Sequence, residues 1–306
     1  METYVNFLTK WSAYKPFVYF CLMQFLTRIF DFYLRASVHV ALAVFSLLYV
    51  GFQSLNIPLD VPLTITVFCG TIMSYNFIKY GESATYYFRV TKKAFVPIQI
   101  LSVLAGFFGA YGLFELSNFS YGVLILMIFL TGLYALPMLP SKKNLRSIGG
   151  LKMSVVALVW AMASVLLPLS TLGKELFSVA VVAEFFWVGV MGLFLAHFIL
   201  VWVLMIPFEI RDFKTDPMEV KNIVQKYGLR KTIYFGVLGS FVFILLQLFN
   251  AAVFQWSTLE IALQFLLGIL LIVSLFMSFT PRSKYFANFW VESIPIGYAL
   301  SWFLIS

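Results

Sequence analysis

The chain is 306 residues long, 62% of them hydrophobic and only 11% charged, where a soluble domain carries roughly 25% charged side chains. A surface this apolar excludes a water-solvated globule, so most of it must face lipid. The net charge of +8 does not point to nucleic acid, because the basic residues form no arm or aromatic-interleaved patch, and Cys21 and Cys69 offer neither a disulfide framework nor zinc spacing.

In chain order, residues 1–35 form an N-terminal segment distinct from the rest of the chain. Its apolar stretch 17–26 leads into Thr27, Arg28 and Asp31 rather than a small-residue cleavage site, so it does not read as a signal peptide. Gln24, Arg28, Asp31 and Arg35 recur at helical spacing, which predicts an amphipathic helix that lies at the cytoplasmic interface or leans its polar stripe into the bundle. Beyond it come nine apolar runs of about 20 residues, each long enough to cross a hydrocarbon core about 30 Å thick. They cover 36–55, 61–80, 94–114, 121–139, 151–169, 179–206, 232–254, 259–280 and 285–305.

The loops alternate in charge. One side collects 20 of the 21 Lys and Arg residues and the other keeps only Lys174, so the positive-inside preference places the N-terminus in the cytoplasm and the C-terminus outside. The fold class expected is all-α: one polytopic domain, 1–306, of nine transmembrane helices.

Three cytoplasmic loops carry chemistry. After the second span come Asn76, Lys79 and Tyr80, with Asn76 and Tyr80 four apart on one face and Glu82 pointing elsewhere. After the fourth span Tyr134, Pro137 and Pro140 precede Lys142, Lys143, Arg146 and Lys152, four cations able to neutralise an anionic ligand or to face lipid headgroups. The sixth span runs into Glu209, Arg211, Asp212, Lys214 and Asp216. If the helix continues, Asp212 lies about 60° and Asp216 about 20° from Glu209, with Arg211 and Lys214 on the opposite side. Three carboxylates on one face repel one another unless a cation joins them, and Mg²⁺ binds carboxylates while bridging phosphates. Asp216 fits equally well as an N-cap ahead of Pro217 and Glu219. Within the spans, Glu292 is a functional-site candidate because an ionisable group in hydrocarbon is costly. For His197, hydrogen bonding inside the bundle is the expected role.

This ordered set of motifs, carried most specifically by Glu209 through Asp216 with Tyr134 to Lys142, Lys152 and Trp160 in support, resembles the UbiA superfamily of intramembrane prenyltransferases. The resemblance implies Mg²⁺-dependent transfer of an isoprenoid chain from a prenyl diphosphate to a lipophilic or aromatic acceptor. It also implies helices around a central cavity open to the lipid of the cell's inner (plasma) membrane, with the motif loops facing the cytoplasm. Glu209, Asp212 and Asp216 would be the metal ligands, and Asp212 and Asn76 the catalytic residues. Lys79, Tyr134, Lys142, Arg146, Lys152 and Arg211 would bind substrate. The first motif departs from the family, since Tyr80 and Ala84 stand where aspartates are usual. That departure implies an alternative: a non-catalytic relative that binds or moves an isoprenoid lipid.

Overall fold

A computed structural model of the chain describes residues 22–80, 95–136, 144–145, 148, 150–173, 184–213, 222–280 and 282–305, and all regular structure among them is helical. The helices are α1 (Leu22–Arg35), α2 (Val38–Ser54), α3 (Val61–Tyr80), α4 (Val96–Leu113) and α5 (Asn118–Ala135). Next come α6 (Leu151–Ser170), α7 (Glu184–Asp212), the short α8 (Ile223–Tyr227), α9 (Leu229–Phe254), α10 (Thr258–Met277) and α11 (Ser293–Ile305). Seven of these, α3 to α7 with α9 and α10, are long and apolar enough to cross a membrane. An eighth span results if α1 and α2, bent by 55°, are taken together.

Each of the nine expected runs has a helical counterpart, with two differences. The first run is the 17-residue α2, which meets α1 at a hinge where Ser37 adopts φ 61, ψ 19. The last is split into a π-helical stretch, Phe286–Val291, and the 13-residue α11, so neither piece reaches spanning length alone.

Local chemistry sets the ends. The Asp60 carboxylate accepts from the Leu63 N–H at 2.8 Å and caps α3, and Ser117 caps α5 by accepting from the Ser120 N–H at 3.1 Å. Ser257 with Glu260, and Asn222 with Gln225, form reciprocal capping boxes at α10 and α8. Pro168 explains an irregularity within α6. It has no N–H to give the Ser164 carbonyl, and the helix widens to a π form over Met162–Leu166 just before it. That carbonyl lies against Gly51 of α2, where a Cβ would sit 1.6 Å from the oxygen. Only glycine allows so close a helix contact.

The helices pack in the succession α4–α3–α2–α11–α10–α9–α7–α6–α5. Helices α2, α6 and α7 supply most of the buried core, including Leu47, Leu48, Phe52, Leu167, Leu193, Leu200 and Ile206. The outward faces of α4, α5, α9 and α10 present large apolar side chains to the surroundings, such as Phe107, Ile128, Leu245 and Ile269. Such faces are stable only in lipid.

Candidate active site

Five chain segments converge at one end of the bundle: the C-terminal ends of α3, α5 and α7, the start of α6, and the turn leading into α11. They enclose a chamber of about 530 Å³, and the Leu34–Arg35 end of α1 also borders it. Helix spacing aims the lining side chains. Lys152, Val156 and Trp160 stand four apart on α6, and Val201, Leu204, Met205, Phe208, Arg211 and Asp212 occupy one broad face of α7. Lys284, Asn288 and Glu292 repeat the four-residue spacing ahead of α11.

A second, larger cavity of about 1070 Å³ lies between the α3–α4 and α5–α6 pairs and is walled mostly by apolar side chains such as Val103, Leu113, Met127, Ile128 and Val159. Tyr75, Tyr80, Tyr134, Val156 and Trp160 line both spaces, so these side chains form a wall shared by the charged chamber and the apolar groove. The Trp160 indole N–H donates to the Tyr75 hydroxyl at 2.9 Å, which orients both rings at the junction.

Electrostatically the chamber is cationic. Among the described residues, Arg35, Lys79, Lys152, Arg211 and Lys284 line it with two carboxylates, Asp212 and Glu292, while Lys152 pairs with Glu209 and Lys284 lies 3.1 Å from Asp31, both carboxylates outside the lining. Arg211 is the most connected of them. Its Nε and Nη2 donate to the two Asp212 oxygens at 2.6 and 2.9 Å, its Nη1 donates to Asn288 Oδ1, and its guanidinium stacks 5.1 Å from the centre of the Phe208 ring. Glu292 sits within electrostatic reach of both Lys79 and Arg211.

The predicted carboxylate face is only partly realised. Helix α7 does continue through Pro207 to Asp212, but Glu209 is 2% exposed and turned toward α6, where its Oε1 lies 2.9 Å from Lys152 Nζ. Glu209 does not line the chamber, whereas Asp212 does. Arg211, expected on the far side of the helix from the carboxylates, reaches back to pair with Asp212, because a guanidinium stem spans the angle between adjacent residues. Asp216, Lys142, Arg146, Glu82, Ala84 and Cys21 lie outside the described residues.

The first-motif residues hold the α1–α2 hinge. Asn76 Nδ2 donates to the Ala36 carbonyl at 3.1 Å and to Ser102 Oγ at 2.9 Å, Lys79 Nζ donates to Ser37 Oγ at 3.0 Å, and the Tyr80 hydroxyl donates to the Arg35 carbonyl at 2.9 Å. Lys79 and Tyr80 also reach the chamber, while Asn76 borders the groove. His197 hydrogen-bonds Ser164 Oγ through Nδ1 at 2.8 Å, inside the bundle. Sequence reasoning missed Tyr75, Lys284 and Asn288. The signal for the last two was present as polar residues four and eight positions before the intraspan Glu292.

No protein-family model matches the sequence, and no curated protein matches it. A solved structure does: a UbiA homolog from Archaeoglobus fulgidus bound to GPP and Mg²⁺, with a TM-score of 0.54 at 15% identity, covering 89% of this chain and 98% of that one. The chain has the UbiA fold. Of the three carboxylates that the resemblance implies as magnesium ligands, Glu209 and Asp212 are among the described residues and Asp216 is not. Among the described residues no three His, Cys, Asp or Glu side chains gather closely enough to hold a metal. Of the two described motif carboxylates, Asp212 has both oxygens on Arg211 and Glu209 pairs with Lys152.

Proposed function

We propose that the protein is an integral membrane prenyltransferase that seats the head of a prenyl diphosphate in the cationic chamber and its chain in the adjoining groove. The observation that carries this reading is the wall the two spaces share at Tyr75, Tyr134 and Trp160, with a charged chamber on one side and an apolar groove on the other. An amphiphile with an anionic head and an isoprenoid tail matches both walls at once. The likeness to a UbiA homolog bound to GPP and Mg²⁺ supports the same substrate class.

In this reading the C–O bond between the first carbon of the chain and the diphosphate breaks, and its electron pair leaves on the diphosphate. Lys79, Lys152 and Arg211 stabilise the charge where it forms. The allylic cation lies against the aromatic faces at the junction, which attract positive charge. An acceptor held in the groove donates an electron pair to form the new bond and releases a proton to solvent, leaving inorganic diphosphate as the second product. The chain is proposed to cross the cell's inner membrane nine times as one domain, N-terminus inside, which places the chamber at the cytoplasmic face.

The test is turnover. The purified protein in lipid nanodiscs is given radiolabelled prenyl diphosphates of several lengths and a membrane extract as the source of acceptor. A labelled lipophilic product is expected from wild type and a loss of about tenfold or more from Arg211→Gln, since a charge-assisted contact to the leaving group is removed. The substitutions Tyr80 and Ala84 favour a second reading, a non-catalytic binder of the same lipid. Bound label recovered unchanged would select it.

A further inference from the structure

We propose that Glu292 is a catalytic residue, the base that takes the proton released by the acceptor on its way to solvent. The inference rests on the proposed prenyl transfer and names the group that completes it. Other carboxylates at this end of the bundle are committed. Asp212 is held by Arg211, Glu209 pairs with Lys152, and Asp31 accepts from Lys284 and from the Tyr285 hydroxyl. Glu292 lines the chamber half-buried, and among the described residues its carboxylate has no hydrogen bond or ion pair. An ionisable group within an apolar run, whose oxygens serve no structural contact, is left to act on a ligand.

Three contacts hold the turn that carries it. Glu292 directly follows the π-helical stretch Phe286–Val291, a form of helix found often at functional sites. The Phe289 carbonyl in that stretch accepts from His39 Nε2 at 3.0 Å and from Ser293 Oγ at 2.6 Å, and His39 Nδ1 accepts from the Tyr33 hydroxyl at 2.7 Å. From this turn the Glu292 carboxylate is within electrostatic reach of Lys79, Arg211, Tyr33 and Tyr75. Lys79 and Arg211 are the cations proposed to receive the leaving diphosphate, and Tyr75 belongs to the wall where the allylic cation is proposed to lie. Glu292 therefore stands close to the carbon that the acceptor attacks.

As the acceptor's electron pair closes the new bond to that carbon, the bond to its proton breaks. Those electrons stay on the acceptor, and the proton passes to a Glu292 oxygen. The neutral carboxyl then returns the proton to solvent. A base in this position favours acceptors with a removable proton at or beside the attacking atom, the class of phenols and other hydroxylated rings.

The experiment compares wild type with Glu292→Gln, an isosteric change, as full chains in nanodiscs with Mg²⁺. Binding of radiolabelled geranyl diphosphate and of inorganic pyrophosphate is expected to stay within about threefold of wild type. Product formed from the label and a membrane extract should fall about hundredfold, the loss typical of removing a general base. Glu292→Asp, which keeps the charge but shortens its reach, should bind both probes normally and lose about tenfold in product. Product formation by either variant at the wild-type rate overturns the inference and leaves the proposed function standing. So does a loss of pyrophosphate binding that matches the loss of product, since Glu292 then serves only as a counter-ion of Lys79 and Arg211. A folded wild type that makes no labelled product overturns both.

Discussion

Lys152 and Glu209 lie 57 positions apart in the chain and meet at 2.9 Å, with the carboxylate 2% exposed. A buried pair of this kind is weak evidence of stability as a pair, but removing one partner alone strands a charge and typically costs about 3–5 kcal/mol. Lys152→Met is therefore expected to lower the melting temperature of the detergent-purified protein markedly. Adding Glu209→Gln to it should restore much of the loss, because the stranded charge is gone. If the double variant melts no higher than Lys152→Met, the pair is not what anchors α7 to α6. Sequence reasoning singled out Glu209 and Asp212 as expected metal ligands and Lys152 and Arg211 as expected substrate binders, but a helical projection yields only angles about one axis. It could not tell that Glu209 faces a lysine on a different helix, or that Arg211 folds back onto its neighbour.

At the scale of elements, Gly51 comes so near the Ser164 carbonyl that a Cβ would stand 1.6 Å from the oxygen. Gly51→Ala must push α2 from the π turn of α6, and overpacking of this kind costs about 1–3 kcal/mol or more. The folded yield and thermal stability of that variant are expected to fall clearly, whereas Gly70→Ala, where a Cβ meets nothing within 4 Å, should be tolerated. The groove between the α3–α4 and α5–α6 pairs allows a different kind of substitution. Gly132 lines it, and a Cβ there also meets nothing within 4 Å. Gly132→Leu should fold normally and shorten the longest prenyl diphosphate that binds, and equal binding of all chain lengths by the variant would show that the tail lies elsewhere. The positions of the helices were legible in advance, since lipid demands long apolar runs with every backbone group bonded within the segment. The π turns and the α1–α2 hinge were not. The hinge depends on the grip of Asn76, Lys79 and Tyr80 on residues Arg35 to Ser37, which joins stretches about forty positions apart.

For the whole molecule, the charge asymmetry of the loops makes an orientation test decisive. A reporter active only outside the cytoplasm, fused after Ser306, is expected to be active, and the same reporter fused after Lys143 inactive. Activity at both points would remove one span from the proposed nine and turn the chamber away from the cytoplasm. The chain's membrane residence, helical class and the identity of the loops that carry charge follow from its sequence alone, because they depend on composition along a single line and on the thickness of a bilayer. The pairing of Glu209 with Lys152, the use of the first-motif residues as a hinge clamp, and the wall shared by a charged chamber and an apolar groove were settled only by the tertiary structure. Each is a contact between residues far apart in sequence, and Coulomb attraction and packing act through space rather than along the chain.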